Sequence, residues 1–160
     1  MILVTGATGF IGSHLMCLLV QKDVFPVAMF RHESNKNNVW KLFESKFSDA
    51  KERYEKITWR KADLRDLPSL NQAFEGVTHV YHCAGYISLA QRDVKKLLEI
   101  NEQGSAYLVN LCLSHSIKKL VYVSSIAALG NEPTTSIIDE NTPWEKNMDK
   151  TPYAYSKYGG

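Results

Sequence analysis

The stretch TGATGFIG occupies residues 5–12, directly after the short apolar run ILV. Its glycines, Gly6, Gly9 and Gly12, are spaced by three, and a helical pattern begins next to them. A first glycine of this kind permits a tight turn out of a strand, a second lets the backbone approach a pyrophosphate, and a third lets the helix pack against the sheet. The helix N-terminus adds amides and a positive dipole end. The stretch therefore predicts a dinucleotide-binding loop, although its first glycine step is wider than in the common G-x-G-x-x-G.

Hydrophobic patterning in the rest of the chain alternates between short β-branched or aromatic runs and longer helical periods. The pattern predicts strands at 2–5, 24–30, 57–61, 77–83 and 120–124. It predicts helices at 12–22, 37–47 with a second piece reaching residue 54, 68–74 and 91–115, and one beginning near Thr151. This alternation favours right-handed βαβ units. We expect an α/β fold of Rossmann type, a doubly wound parallel sheet with helices on both faces, formed as one domain by residues 1–160.

Charge and composition narrow the possible partners. The 160 residues include 19 Lys+Arg against 17 Asp+Glu, interleaved along the chain, and 44% of the residues are hydrophobic. Such a balance leaves no basic surface for nucleic acid. No apolar run approaches the roughly 20 residues of a membrane span, and no basic leader precedes the first strand. The expected partner is a small-molecule substrate, without nucleic acid or membrane, and the expected location is cytoplasmic.

Cysteine and histidine usage gives no reason to expect a disulfide or a metal. Cys17, Cys83 and Cys112 are an odd set, each inside an apolar run, where reduced cysteines pack as small hydrophobes. His79 and His82 lie three apart in a predicted strand, which puts them on opposite faces. We therefore predict no metal site.

The longest predicted helix contains an unusual polar residue. Helical spacing places one stripe of residues on a single face: Val94, Leu98, Asn101, Ser105, Leu108 and Cys112. A buried amide without partners costs about 1 to 3 kcal/mol, so Asn101 should be hydrogen-bonded to backbone, water or another polar group. Gly104 lies in the middle of the helix, where glycine is about 1 kcal/mol less favourable than alanine. A close approach of the helix to the sheet would offset this loss of stability.

Two further segments carry candidate chemistry. Tyr153 and Lys157 are four residues apart, which puts both side chains on one helical face. A phenol becomes a useful acid or base near neutrality only when a neighbouring cation favours the phenolate, and Lys157 is the candidate cation. Ser125 follows the fifth predicted strand, where ligands meet a parallel sheet. Its neighbour Ser124 is the rival hydroxyl, because adjacent strand residues point to opposite faces.

The chain resembles the extended short-chain dehydrogenase/reductases, also called the NAD-dependent epimerase/dehydratase family, along its whole length. The resemblance is carried, in order, by TGATGFIG, KADLRD with Asp63 and Leu64, YHCAGY with Ala84 and Gly85, the spacing of Asn101 and Gly104, YVSSIAALG, and Tyr153 with Lys157. Among family members it is most similar to the dihydroflavonol reductases.

The resemblance implies a set of site residues. Those expected to bind the cofactor are Gly6, Thr8, Gly9, Phe10, Ile11, Gly12, Asp63, Leu64, Ala84, Gly85, Tyr153 and Lys157. In the implied mechanism Tyr153 exchanges a proton with the substrate oxygen, Ser125 holds that oxygen, and Lys157 also binds the nicotinamide ribose. Asn101 would help to order a water chain behind Lys157. The alternatives are a plain loop residue at Asp63 and a satisfied core amide at Asn101.

The identity of the cofactor depends on the end of the second strand. NAD-binding proteins of this fold usually place an acid there, whereas an arginine suits the 2′-phosphate of NADP. Here the strand ends in Arg31 and His32, which favours NADP because a planar guanidinium pairs well with phosphate. Glu33 close by keeps NAD as the alternative.

Three functions remain compatible with the sequence. The first is an NAD(P)-dependent oxidoreductase that transfers hydride between the cofactor and a carbonyl/alcohol pair, similar to dihydroflavonol reductases. The second is a nucleotide-sugar epimerase or dehydratase; related dehydratases tend to carry an acid just after the serine, where this chain has Ile126 and Ala127. The third is a non-catalytic NADP-sensing protein, in which Ser125, Tyr153 and Lys157 would have no purpose.

The far end of the sequence suggests a piece of a longer protein. Family members bind substrate mostly through a C-terminal lobe, which is absent here, and only three residues follow Lys157. We expect residues 126–150 to form a substrate-side loop. We also expect the fifth strand to be an open edge that promotes self-association, with a homodimer as one outcome. The chain alone should keep the site at Gly6–Gly12, be loosely ordered from Ile126 onward, and show no measurable hydride transfer.

Overall fold

A computed structural model describes residues 1–130, 137–144 and 150–160. Its five strands form one parallel sheet in the order β3-β2-β1-β4-β5. The strands are β1 (Ile2–Thr5), β2 (Val27–Phe30), β3 (Thr58–Lys61), β4 (His79–His82) and β5 (Lys119–Tyr122). This is the strand order of a Rossmann-type sheet, and it confirms the predicted fold class.

The helices follow the predicted alternation. They are α1 (Phe10–Gln21), α2 (Lys36–Lys46), α3 (Ala50–Glu55), α4 (Leu67–Ala73), α5 (Val94–Leu97), α6 (Gly104–Ser114) and α7 (Pro152–Tyr158). Short 3₁₀ turns lie at Glu33–Asn35, Gln91–Asp93 and Ile126–Ala128. Parts of the predicted loop, residues 131–136 and 145–149, lie outside the described residues.

Packing on both faces of β1 explains why the sheet is buried. Leu3 and Val4 are neighbours on β1 and therefore point to opposite faces, yet both are fully buried. On the face of Val4, Met16 of α1 and Phe43 of α2 belong to the same core cluster. Burial on both faces is expected for a parallel sheet, because crossover helices cover each side.

The first helix begins earlier than predicted. Gly9, with extended dihedrals, is its N-cap, and the amide of Ser13 donates to the Gly9 carbonyl over 2.9 Å. Phe10 therefore opens α1, and the predicted start at residue 12 was wrong. Gly12 lies inside the first turn of α1, and the backbone that packs closely against it belongs to Gly6 and Ala7 in the preceding loop.

A π-helical segment, Leu98–Gln103, interrupts the predicted long helix between α5 and α6. Helical dihedrals continue through it. Leu98, predicted on the buried stripe, is 38% exposed, and Leu97 is fully buried in its place. The prediction failed at Leu98 because the wider π turn shifts the buried face of α5 relative to that of α6.

The structure divides into two compact units. The first consists of Met1–Gly85 and Tyr107–Val123 and contains the whole sheet; the second consists of Tyr86–Ala106 and Ser124–Gly160. The predicted dinucleotide loop lies in the first unit, whereas Ser125 and α7 lie in the second. In the described parts of the chain, no helix is long and apolar enough to cross a bilayer.

Candidate active site

The glycine loop of the first unit has a backbone that only glycine fits. Gly6 has a φ of +63°, and a β-carbon there would lie 2.7 Å from the backbone of Ala84. The Gly9 amide donates to the Gly6 carbonyl over 2.9 Å, closing a tight turn. A β-carbon on Gly12 would lie 2.1 Å from that same carbonyl oxygen. The structure thus brings the loop against the backbone that follows β4, which the sequence assigned to the same site.

A buried hydrogen-bond network supports this contact. The hydroxyl of Thr5 is bonded to the imidazole of His82 over 2.7 Å, and it accepts from the Ala84 amide over 3.3 Å. The network fixes the end of β1 against the end of β4, where the glycine loop starts. In contrast, the predicted cofactor residues Phe10, Ile11 and Gly85 are exposed. Thr8 is half-buried.

Charged side chains follow β2 and β3. Arg31 comes directly after β2 and is exposed. Asp63, after β3, accepts from the Arg65 guanidinium over 2.8 Å, and this hydrogen bond lowers the pKa of Asp63. The charge of Arg31 contributes in the same direction, which places Arg31 within electrostatic reach of Asp63. Leu64, next to Asp63, is buried, so its side chain packs in the core.

Glu33, the acid that kept NAD as an alternative cofactor, already forms an ion pair within the protein. Its carboxylate forms an ion pair with the Lys36 ammonium at 2.8 Å. The same ammonium lies 3.9 Å from the centre of the Phe30 ring, at the end of β2. Positive charge from Lys36 therefore lies next to the strand end that carries Arg31, and the sequence analysis did not foresee it.

In the second unit, α7 carries the predicted acid/base pair. The hydroxyl of Thr151 caps the helix by accepting from the Ala154 amide over 3.2 Å. Tyr153 is half-buried, and Lys157 is only 5% exposed. A buried lysine is rare unless it has a partner. One face of a short helix thus holds a phenol and an ammonium group in partial or full burial.

Ser125 lies in the same unit as α7. Its hydroxyl accepts from the Ala127 amide over 3.2 Å and so begins the 3₁₀ turn Ile126–Ala128. This turn packs against α7. Ser125 is half-buried, whereas its rival Ser124 is exposed.

Asn101, on the π-helical segment, is buried and fully bonded. Its Oδ1 accepts from the Tyr86 amide over 2.8 Å, and its Nδ2 donates to the Tyr86 carbonyl over 2.8 Å and to Ser156 Oγ over 2.9 Å. The predicted need for partners is confirmed. Both amide hydrogens are used within the protein, as they would be in the satisfied core amide that the sequence analysis held as the alternative. A water chain through this side chain stays a prediction.

The loop after β4 is also held internally. Tyr86 Oη and Ser88 Oγ both donate to the Asp93 carboxylate, over 3.1 and 2.6 Å. The Ser88 hydroxyl, followed by the Tyr86 phenol, lowers the pKa of Asp93. Between them Ile87 is exposed. The exposed side chain of Ile87 therefore lies in a loop that hydrogen bonds hold in place at Tyr86 and at Asp93.

The cysteines behave as packing residues. Cys17 and Cys112 are buried, Cys83 is half-buried, and none of the three forms a disulfide. Burial raises the pKa of the Cys17 thiol to about 11 and raises the pKa of the other two thiols. Across the residues that the structure describes, no group of three His, Cys, Asp or Glu side chains is arranged to hold a metal ion.

Comparison with known proteins identifies the class to which this fold and site belong. A model of the NAD dependent epimerase/dehydratase family matches residues 2–160. The chain belongs to this family, which confirms the resemblance read from its motifs.

Individual relatives have related but different names. The chain is 32% identical over 163 residues to cinnamoyl-CoA reductase 1 of Petunia hybrida, a match of 96% of this chain and 45% of that protein. It is 28% identical over 156 residues to dihydroflavonol 4-reductase of Callistephus chinensis, covering 96% and 40%. The crystal structure of a UDP-glucose 4-epimerase from Thermus thermophilus in complex with NAD is similar, with 26% identity, a TM-score of 0.69 and coverage of 98% and 47%. The chain thus spans less than half the length of each.

Proposed function

We propose that this chain is the nucleotide-binding part of an NAD(P)-dependent oxidoreductase similar to the dihydroflavonol reductases, acting on a carbonyl/alcohol pair. The observation that carries the proposal is the composition of the second unit. Three separate segments bring Ser125, Asn101 and the Tyr153–Lys157 pair into one compact unit, and α7 packs against both of the other segments. Phenol, hydroxyl and ammonium groups are what proton exchange with a carbonyl oxygen needs.

The first unit fits a dinucleotide. The cradle at Gly6–Gly12 excludes β-carbons at Gly6 and Gly12, and it opens a helix whose N-terminal amides and dipole favour a pyrophosphate. Thr8, Phe10 and Ile11 lie at this helix start. Asp63, and Leu64 through its backbone, would contact adenine, because the Leu64 side chain is buried. Ala84 and Gly85 would also contact the cofactor. Lys157 would bind the nicotinamide ribose, next to Tyr153. Bound there, the nicotinamide supplies or accepts hydride at the substrate carbon.

The residues of the second unit would handle the proton. During reduction of a ketone, Tyr153 Oη donates its proton to the carbonyl oxygen as hydride reaches the carbon, so that an alcohol and a tyrosinate result. Ser125 Oγ donates a hydrogen bond to the same oxygen. The ammonium of Lys157 stabilises the tyrosinate electrostatically until a solvent proton replaces the lost one.

We infer that the cofactor is NADP. Arg31 stands where NAD users of this fold place an acid, and the nearest acid, Glu33, is paired with Lys36. The Arg31 guanidinium suits a 2′-phosphate better than an uncharged ribose hydroxyl. NAD remains the alternative cofactor.

A nucleotide-sugar epimerase is the second candidate function. Its support is the similarity to the epimerase structure from Thermus thermophilus across 98% of this chain. The apolar residues Ile126 and Ala127 directly after Ser125 count against a dehydratase. A non-catalytic NADP sensor would bind the cofactor without any turnover.

One experiment separates these functions. In the full-length protein that contains this chain, NADPH oxidation is measured with a panel of ketones, alongside epimerisation of UDP-sugars. We expect ketone reduction, and we expect Tyr153→Phe to lower kcat by about 100-fold or more because the proton donor is lost. Tyr158→Phe is the matched control, since it removes a phenol from the same helix and should change kcat less than about twofold. Normal turnover by Tyr153→Phe would refute the mechanism, and binding without turnover would indicate the sensor.

A further inference from the structure

Ser156 connects the acid/base helix to the rest of the second unit. It is fully buried and lies between Tyr153 and Lys157 in α7. Its hydroxyl donates to the Tyr153 carbonyl over 2.8 Å and accepts from Asn101 Nδ2 over 2.9 Å. Both hydrogen bonds involve elements that carry candidate catalytic groups, although Ser156 itself was not singled out by the sequence.

The hydrogen bonds continue beyond Asn101. Because the Asn101 amide also takes both backbone groups of Tyr86, an unbroken chain of bonds runs from the Tyr86 backbone through Asn101 and Ser156 to the Tyr153 carbonyl. All of its members lie in one unit. Every link is between 2.8 and 2.9 Å, within the range of well-formed hydrogen bonds.

Helix α7 needs such a connection to keep one orientation about its own axis. It has only seven residues, and an isolated helix of that length is not stable in water. Trp144 packs on its other side, stacked on Tyr158 with ring centres 4.2 Å apart and edge-on to Tyr155. Ring packing tolerates small rotations, whereas a hydrogen bond of fixed length and direction does not. The bond from Asn101 to Ser156 therefore restricts the rotation of α7 about its axis more sharply than the ring contacts do.

We propose that Ser156 is a positioning residue for proton transfer, which sets the rotation of α7, and so the direction of Tyr153 and Lys157, through its hydrogen bond to Asn101. The proposal rests on the proposed function. Removal of the hydroxyl would leave a buried donor of Asn101 unpaired, and rotation of α7 would be one way to relieve it.

The test uses Ser156→Ala in the full-length protein, with Ser105→Ala as the matched control. Ser105 is also a buried helical serine, and its hydroxyl donates to the Asn101 backbone carbonyl over 2.6 Å, one turn away along its own helix. We expect Ser156→Ala to lower kcat by about tenfold while the KM for NADPH changes less than about threefold. The pH at which kcat is half-maximal should move by about half a unit, because proton transfer depends on the direction of the phenol. Ser105→Ala should keep the wild-type pH profile.

A second pair of variants tests the connection itself. If Ser156 acts through Asn101, the double variant Ser156→Ala/Asn101→Ala should be no slower than the slower single variant. Ser156→Thr, which keeps the hydroxyl, should regain the wild-type pH profile even if the added methyl group lowers stability. A Ser156→Ala enzyme whose kcat falls only in proportion to its folded fraction, with an unchanged pH profile, would overturn the proposal.

Failure of the proposed function can be distinguished from failure of the proposed role of Ser156. If the wild-type protein reduces no ketone, the proposed function fails, and the connection is then judged by amide hydrogen exchange of α7 in the same full-length protein. There Ser156→Ala should speed exchange in α7 by about tenfold relative to Ser105→Ala, since a local opening has become easier. Equal exchange in the two variants would show that Ser156 does not hold the helix.

Discussion

The carbonyl oxygen of Gly6 faces Gly12 so closely that a β-carbon on Gly12 would lie 2.1 Å from it, whereas a β-carbon on Gly9 would lie 3.2 Å from the same oxygen. The first distance is impossible without a backbone shift, and the second requires only a small one. Within one loop, Gly12 is therefore required by the fold itself. Gly9 is exposed, so its lack of a side chain matters chiefly for a ligand that approaches the loop from solvent.

This difference predicts that alanine at Gly12 affects mainly stability, whereas alanine at Gly9 affects mainly cofactor binding. Gly12→Ala should lower the free energy of unfolding by about 3 kcal/mol or more, because overpacking against backbone has no easy relief. Gly9→Ala should cost about 1 kcal/mol or less but weaken NADPH binding by about tenfold or more, because its methyl group blocks the pyrophosphate. Urea unfolding and calorimetry on the 160-residue chain measure both. Unchanged NADPH affinity in Gly9→Ala would place the pyrophosphate elsewhere.

The proposed preference for NADP rests on Arg31. A guanidinium–phosphate pair contributes about 1.4 kcal/mol or more, so Arg31→Ala should reduce the ratio of NADP to NAD affinity by about tenfold. Arg92→Ala, which removes an arginine from the second unit, serves as the control and should leave the ratio unchanged. Calorimetric affinities for both cofactors provide the measurement, and an unaltered ratio in Arg31→Ala contradicts the assignment to NADP.

Cys17 should make stability fall at alkaline pH. Burial raises its pKa from 9.0 to about 11 in the folded protein, so the unfolded chain loses the thiol proton first. The resulting stabilisation is complete below about pH 9 and disappears as the pH rises through about 11. At pH 8 Cys17→Ala should be less stable than the wild type because of lost packing. Urea unfolding should show the difference in free energy of unfolding between the wild type and Cys17→Ala becoming smaller towards pH 11. A difference that stays constant with pH would contradict the raised pKa of the Cys17 thiol.

The outer strand should promote self-association. Among the described residues β5 is the last strand of the sheet and pairs with β4, and its Val121 is 38% exposed. An exposed apolar edge strand favours pairing with another chain, and a charge opposes it. Val121→Lys should therefore shift sedimentation of the 160-residue chain towards monomer. Leu18→Lys, which alters an exposed apolar residue on α1, is the control. Identical sedimentation of wild type and Val121→Lys would exclude the edge as the cause.

The sheet was predictable because hydrophobic runs and glycines report directly on burial and turns. All five strands were found, but four were predicted too long at one or both ends. Val24 was assigned to β2, yet its amide donates to Leu19 at the end of α1. Likewise the amide of Val77 donates to Phe74 in a turn. Apolar residues that leave a helix or turn resemble strand residues in sequence, and only the hydrogen-bond partner distinguishes them.

The candidate site was only partly predictable. Motif spacing was enough to select Ser125, Tyr153 and Lys157, which the structure brings into one unit. The partners of Asn101 lie 15 and 55 residues away, so no local pattern could reveal them. Ser156 gave no signal because serine is more often exposed than buried, and the sequence of this short helix shows no clear buried face. Lys36 was missed because its pairing with Glu33 is a property of the folded turn.

The π-helical segment Leu98–Gln103 also affects how related sequences should be aligned. A wider turn is the structural form of an inserted residue, so a relative with one residue fewer here could keep an unbroken α-helix. The 3.6 residues of an α-helical turn correspond to about 100° per residue, and the π segment absorbs that rotation for one extra residue. Such a deletion would therefore leave the side chains of α5 and α6 facing the same way as they do here. A one-residue gap placed in a neighbouring loop would pair the residues of α5 with the wrong equivalents, whereas a gap placed inside the segment keeps both helices in register.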